Sequence, residues 1–289
     1  MTTIGITGAA GALGRRTAQY VLASHPADQV VLFSRSPDAL ADAGAATRFA
    51  DFDQPDGLAD AFVGVDVLLL ISTDAVGRRR AQHEAAVAAA AKAGVTRLVY
   101  TSMPNADGDF PARLRPLSDD HVATERALHA AGPAWTILRN ALYLEAVGTG
   151  WAQAVATGSL VTNNGTGRHA PVTRDDCAAA AAAVLLGDGH DAKCYDVAGA
   201  RLLDDRAIAT ALGEHHGRPV DVATVSDEAY RDGLVAAGLP AELADVLTGF
   251  GETIRAGLLE TPLGDFEALT GRPPVTIEEF LAGTERGSR

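Results

Sequence analysis

The stretch that decides the fold is Ile4-Gly5-Ile6-Thr7-Gly8-Ala9-Ala10-Gly11-Ala12-Leu13-Gly14. Ile4 to Thr7 is a short run of strand-forming residues. It breaks at Gly8, and Gly11 and Gly14 follow at three-residue spacing into an Ala-rich helical stretch ending near Ser24. Strand, glycine turn, helix is the order that dinucleotide binding requires. One glycine permits the tight turn, another lets backbone come close to a pyrophosphate, and the last lets helix pack on strand. The N–H groups of the helix N-terminus then face the anion. Plain βα turns also use glycine, but here a second strand, Gln29 to Phe33, follows at βαβ distance. Gly8, Ala9, Ala10, Gly11, Ala12, Leu13 and Gly14 are therefore assigned to the cofactor turn.

Working outward, strand-like runs recur at Val30–Phe33, Thr47–Ala50, Val65–Ile71, Arg97–Thr101 and Ala134–Leu138. Helical stretches lie between them at Leu13–Ser24, Pro37–Asp42, Pro55–Phe62, Arg78–Ala93 and Asp119–Ala131. This alternation predicts an α/β fold: a doubly wound parallel Rossmann sheet with ligands outside the strand C-termini. After Leu138 the rhythm changes. Gly158 to Gly167 reads as loop or short strands, Thr173 to Asp176 as a capping box opening a helix through Leu186, and Lys193–Val197 as one more strand. From about Leu203 the chain is helical and acidic, with prolines as punctuation. The expected division is a nucleotide-binding domain over residues 1–150, to which 172–200 returns. A smaller, mostly helical lobe over 151–171 and 201–289 would then cover the cofactor cleft.

The chain of 289 residues can bury a large core, and its 47% hydrophobic and 21% charged content is that of a soluble globular protein. A net charge of −13 argues against non-specific binding to nucleic acid or an acidic membrane, so an anionic cofactor needs positive charge gathered locally. The two cysteines, Cys177 and Cys194, suit free thiols in a reducing cytoplasm, and no Cys/His spacing resembles a metal site. No apolar run is long enough to span a bilayer and no leader pattern precedes the first strand, so a cytoplasmic protein is expected. A homodimer is left open.

The second strand ends Phe33-Ser34-Arg35. A carboxylate there would accept from the ribose 2′-hydroxyl of NAD; Arg35 instead offers a planar cation suited to the 2′-phosphate of NADP, with NADH the weaker ligand. The alternative is a solvated arginine before a turn. Asp51, Phe52 and Asp53 follow the third strand, either flanking an adenine or forming a turn. Ser72, Thr73 and Asp74 end the fourth strand, beside a nicotinamide ribose or as a helix cap. Arg78-Arg79-Arg80 reads as a solvated face rather than an anion site.

Thr101 and Ser102 close the fifth strand at the same edge. The Tyr-x-x-x-Lys pair of short-chain dehydrogenases is absent, and His121 and Glu125 stand in its place on one helix face. His121 is either a substitute general acid or a structural histidine. The sixth strand ends Leu138-Arg139-Asn140-Ala141-Leu142-Tyr143. Asn140 and Tyr143 come where nicotinamide and substrate would meet, or form a buried elbow with Arg139 paired to a carboxylate.

These stretches, with Gln82-His83, Ala93-Gly94-Val95, Asn163 to Gly167 and Val172 to Asp175, resemble the NmrA-like atypical short-chain dehydrogenases along nearly the whole chain. Within that family the likeness is to bacterial NAD(P)H:quinone oxidoreductases and triphenylmethane reductase. The resemblance implies NADPH as hydride donor, a flat electrophile such as a quinone as acceptor, and cofactor contacts from Gly8, Gly11, Leu13, Gly14, Arg35, Ser72, Thr73, Arg139, Asn140 and Tyr143. Thr101, Ser102 and Leu138 join them as strand-end positions, and Tyr143, His121 and Asn140 are the candidate catalytic residues. The family also contains redox sensors that bind NADP without turnover, and dye or carbonyl reduction differs only in the acceptor.

Overall fold

The computed structural model describes residues 2–75 and 77–284. Its first half alternates β1 (Ile4–Ile6), α1 (Ala12–Leu22), β2 (Val30–Ser34), β3 (Ala46–Phe49), α2 (Leu58–Phe62), β4 (Val67–Leu70), α3 (Arg79–Lys92), β5 (Arg97–Ser102), α4 (Arg115–Ala130) and β6 (Ala134–Asn140). Then come α5 (Leu144–Val147), α6 (Trp151–Thr157), β7 (Ser159–Thr162), α7 (Arg174–Leu186), β8 (Lys193–Val197), α8 (Asp205–His216) and β9 (Asp221–Thr224). The chain continues with α9 (Asp227–Ala236), α10 (Ala241–Arg255), α11 (Asp265–Thr270) and α12 (Ile277–Thr284).

A seven-stranded sheet in the order β3-β2-β1-β4-β5-β6-β8 is parallel throughout. It is the doubly wound sheet that the alternation predicts. β1 and β4, at its centre, carry only glycine and apolar residues because both faces are covered. In β4, Val67 and Leu69 join the cluster under α1 and α7, while Leu68 and Leu70 join the opposite cluster under α2 and α3. The alanines of α7 let it lie close against α1, since each helix presents a surface of small side chains. Between β2 and β3, the expected helix over Pro37–Asp42 is a single 3₁₀ turn, Pro37–Leu40, which buries only Leu40.

The capping box at Thr173 forms by half. Thr173 Oγ1 accepts from the Asp176 amide (2.9 Å), but the Asp176 carboxylate turns away to accept from Val275 N–H (2.8 Å) and pair with Arg272. Asp176 is fully buried and fastens the C-terminal segment to α7. That segment does not belong wholly to the lobe. α11 packs on α7 and β8, and Phe266 joins the sheet's own core, so residues 265–270 lie against the nucleotide-binding layer. The lobe proper gathers Trp151, Ile208, Leu212, Ile277 and Leu281. It also holds a pairing that the sequence reading missed, β7 with β9, in a parallel two-stranded sheet.

Sheet order reverses between β1 and β4, and the glycine turn sits at this switch point. Thr7 N–H donates to Leu69 O and Ala9 N–H to Phe33 O (3.0 Å each), tying the turn to both neighbouring strands. Gly8 adopts φ of +60°, which favours glycine. At Gly14 a Cβ would come within 2.4 Å of Gly8 O. Gly14→Ala is therefore expected to cost on the order of 1–3 kcal/mol through overpacking, read as a lower urea midpoint with unchanged m-value. An unchanged midpoint would mean that α1 moves off the turn at no cost.

Candidate functional site

Outside the C-terminal ends of β1, β2 and β4 lies a cleft of about 750 Å³, in the size range of small-ligand sites. Its lining includes Gly8, Ala10, Gly11, Ala12, Leu13 and Gly14 from the turn, Arg35 after β2, Asp51 and Phe52 after β3, Ser72, Thr73 and Asp74 after β4, and Tyr143 after β6. These are the sequence-predicted cofactor residues that the fold brings together.

Fit to a dinucleotide rests on the cradle itself. No side chain caps α1, and its first helical bond is donated by Arg15 to Gly11 O (2.9 Å). The N–H groups of Ala12, Leu13 and Gly14 precede that bond and stand at the cleft, the arrangement that receives a pyrophosphate. At the adenosine end, Arg35 is exposed and has no hydrogen-bond or ion-pair partner among the described residues. Of the described residues, Arg35, Arg78, Arg79 and Arg174 line the cleft against Asp51, Asp53 and Asp74, so cations outnumber carboxylates inside an acidic protein.

The arginine run is a correction. Arg78 and Arg80 are both exposed, but of the three only Arg80 stays on its own helix face, pairing with Glu84 one helical turn on (2.8 Å). Arg78 reaches across to Asp53 (2.9 Å) and lines the cleft. Arg79 is buried, donates through Nε to Thr73 O, and leaves Nη1 buried without a partner. Consecutive residues at a helix start point about 100° apart, which divides a linear charge run among three environments.

Thr73 and Asp74 do not cap α3, whose cap position is Arg78. Instead α3 reaches back to the strand end. Thr73 Oγ1 donates to Gln82 Oε1 (2.7 Å), and Thr73 N–H donates to His83 Nε2 (3.1 Å). The imidazole proton of His83 therefore sits on Nδ1 and is donated to Thr124 Oγ1 (3.0 Å). Thr101, also buried, accepts the Ser72 amide through Oγ1 (2.9 Å) and so supports the lining from behind rather than joining it.

Several expected site residues stand elsewhere. Ala9 is fully buried with its amide committed to Phe33 O, and Leu138 is a core residue of the sheet. Ser102 donates to Glu125 Oε1 (2.6 Å), and Arg139 pairs with the same carboxylate (2.8 Å). This is the buried elbow reading, and it removes Ser102, Arg139 and Glu125 from the cleft. His121 does not face the cleft either. It is 5% exposed, its Nδ1 pairs with Tyr100 OH at 2.7 Å, and its pKa is pushed down to about 3 by burial, then by the charge of Arg79. A ring held neutral in the core has no proton to lend to a carbonyl at neutral pH.

Asn140 sits behind Tyr143, its Nδ2 donating to the Tyr143 hydroxyl oxygen at 3.4 Å. Burial raises the Tyr143 pKa, so the phenol keeps its proton at neutral pH. Arg174 lies over the Tyr143 ring, 4.8 Å from its centroid, and lines the cleft. The sequence reading did not single out Arg174 or Gln82 as site residues; only the packing of α7 and α3 against the strand ends brings them there.

A nucleotide cradle at the switch point of a doubly wound sheet defines a dinucleotide-binding Rossmann protein. The chain belongs to the family described as NAD(P)H-binding, whose sequence model matches residues 8–188. It is 35% identical over 282 residues to quinone oxidoreductase 2 of Escherichia coli strain K12, covering 96% of this chain and 97% of the relative. The crystal structure of that NADPH-dependent enzyme with NADPH superposes with a TM-score of 0.93 at 34% identity, covering 98% and 100%. The Citrobacter sp. triphenylmethane reductase structure with NADP(H) gives a TM-score of 0.90 at 33% identity, over 97% and 99%. An NmrA-like family domain-containing oxidoreductase of Aspergillus flavus is 27% identical over 282 residues, 93% and 91% of the two chains.

Two outcomes follow from the geometry. Gly11→Ala places its Cβ 3.2 Å from Gly8 O, a contact the turn can relieve, but on the side that a pyrophosphate approaches. The variant is expected to keep its melting temperature and lose about tenfold in dinucleotide affinity, measured by calorimetry. His121 and His83 are both held at about 3 when folded. Their ordinary value is about 6.5, so the unfolded chain takes up protons that the folded chain refuses, and stability falls as pH drops below about 6.5. His121→Gln is expected to make that slope shallower by about one proton, with equal slopes in urea melts across this range counting against a neutral buried ring.

Proposed function

We propose that the protein is an NADPH-dependent oxidoreductase that passes hydride to a quinone or a similar planar electrophile. The observation that carries this reading is the shape of the cleft: a phosphate-receiving turn at its centre, an unpaired Arg35 at one end and a protonated Tyr143 at the other. The names of the relatives at 33–35% identity point the same way.

In this reading the nicotinamide supplies hydride when bound. The chain's own residues hold the pieces. Ala12, Leu13 and Gly14 N–H receive the pyrophosphate, and Arg35 receives the 2′-phosphate. Ser72 and Thr73, pinned by Thr101, Gln82 and His83, form the wall beside the ribose. Tyr143 keeps its phenolic proton and is steadied by Asn140 and Arg174. With His121 buried, no histidine or lysine lines the cleft among the described residues, which favours an acceptor that spreads negative charge over a conjugated ring. Holding the two reactants together then supplies most of the rate. The acceptor is placed at the Tyr143 end of the cleft, next to Arg174.

The test is NADPH oxidation by the purified protein with a simple benzoquinone, with NADH in parallel. Turnover that prefers NADPH is expected, and Arg35→Ala should raise the KM for NADPH about tenfold or more while leaving that for NADH within about twofold. Tight NADPH binding with no turnover on any quinone, dye or carbonyl acceptor would replace the reductase with a cofactor sensor.

A further inference from the structure

Arg78, Asp53 and Gln82 form a bridge over the adenosine end of the cleft. Arg78 Nη1 and Gln82 Nε2 meet the same Asp53 oxygen, at 2.9 Å and 2.8 Å. Arg78 comes from the start of α3 and Asp53 from the loop after β3, so the contact spans two walls of the cleft. Arg35, on the third wall, is near enough for its charge to act on Asp53. That carboxylate is held below the ordinary range first by the Gln82 hydrogen bond, then by Arg78 and Arg35.

We infer that Arg78 is a second reader of the 2′-phosphate, and that Asp53 is the counter-ion which holds it in place until a phosphate displaces it. The inference rests on the NADPH reading above. Asp53 and a 2′-phosphate compete for the same two arginines. The phosphate carries about −1.5 to −2 charges and offers three acceptor oxygens, whereas Asp53 carries one charge. Arg78 and Asp53 are partly solvated, their side chains 67% and 36% exposed, so their ion pair is weak and easily exchanged. Gln82 keeps its hold on Asp53 after the exchange, because it is anchored at its other end to Thr73. NADH brings no 2′-phosphate and leaves the bridge closed. Discrimination between the cofactors then comes from two cations, with the resident carboxylate lowering the affinity for NADPH below what the arginines alone would give.

The experiment is calorimetric binding of NADPH, NADH, adenosine 2′,5′-bisphosphate and adenosine 5′-monophosphate to the wild type and to Arg78→Ala, Arg78→Lys, Asp53→Asn and Arg35→Ala. Thermal melts confirm that each variant is folded. Arg78→Ala is expected to weaken both 2′-phosphorylated ligands about tenfold and their partners less than about twofold, with Arg78→Lys between. Asp53→Asn, which keeps an acceptor for Gln82, is expected to tighten the phosphorylated ligands about threefold and leave the others unchanged. An equal loss for all four ligands in Arg78→Ala, or weaker NADPH binding in Asp53→Asn, would overturn the inference while leaving the cofactor assignment intact. A wild type that does not distinguish the bisphosphate from the monophosphate, with Arg35→Ala neutral, would overturn both.

Discussion

Everything in this molecule depends on how closely α1 is allowed to approach the loop that precedes it. A Cβ on Gly14 would stand 2.4 Å from Gly8 O, so the helix begins this close to the turn without strain only if that Cβ is missing. The approach sets the N-terminal amides of α1 over the sheet edge, and the alanine surfaces of α1 and α7 extend the same closeness along the helix pair. A helix held further out would leave the switch point filled by side chains rather than backbone. A backbone lining is what an anion needs, since amide N–H groups donate without bringing bulk.

The second constraint acts across α3. Its first turn turns back on the strand end through Arg79, Gln82 and His83, and each bonds a different group of Thr73. Thr73 therefore has its amide, hydroxyl and carbonyl all committed, and the cleft wall is held from behind rather than by the ligand. His83 and His121 belong to this support, buried with Tyr100 and Thr124 between α3 and α4. Of the two residues that stand in place of a Tyr–Lys pair, His121 is bonded to Tyr100 behind the wall and Glu125 holds Ser102 and Arg139. Arg79 brings charge into the same region, and its presence helps keep both rings neutral.

What the sequence determined by itself is the sheet and the cradle. Apolar runs at βαβ spacing, a glycine triplet after the first of them and an arginine where a carboxylate would select NAD are short-range features, and short-range features survive being read along a line. β8 was legible as one more strand at Lys193–Val197, and Arg35, Ser72, Thr73 and Tyr143 from their places at strand ends, because a parallel sheet puts every strand C-terminus on one edge. Only the tertiary structure decided which way the remaining side chains turn. Asp176 completes no capping box because Val275 and Arg272, about a hundred residues away, offer it better partners. Arg78, Arg79 and Arg80 read alike in sequence, yet helical rotation sends one to Asp53, one into the core and one to solvent. Arg139 and Ser102 share Glu125, and His121 faces Tyr100, because α4 packs against β5 and β6 at a depth that no local pattern encodes. Strand and turn are set by neighbours along the chain; the partner of a charge is set by neighbours in space.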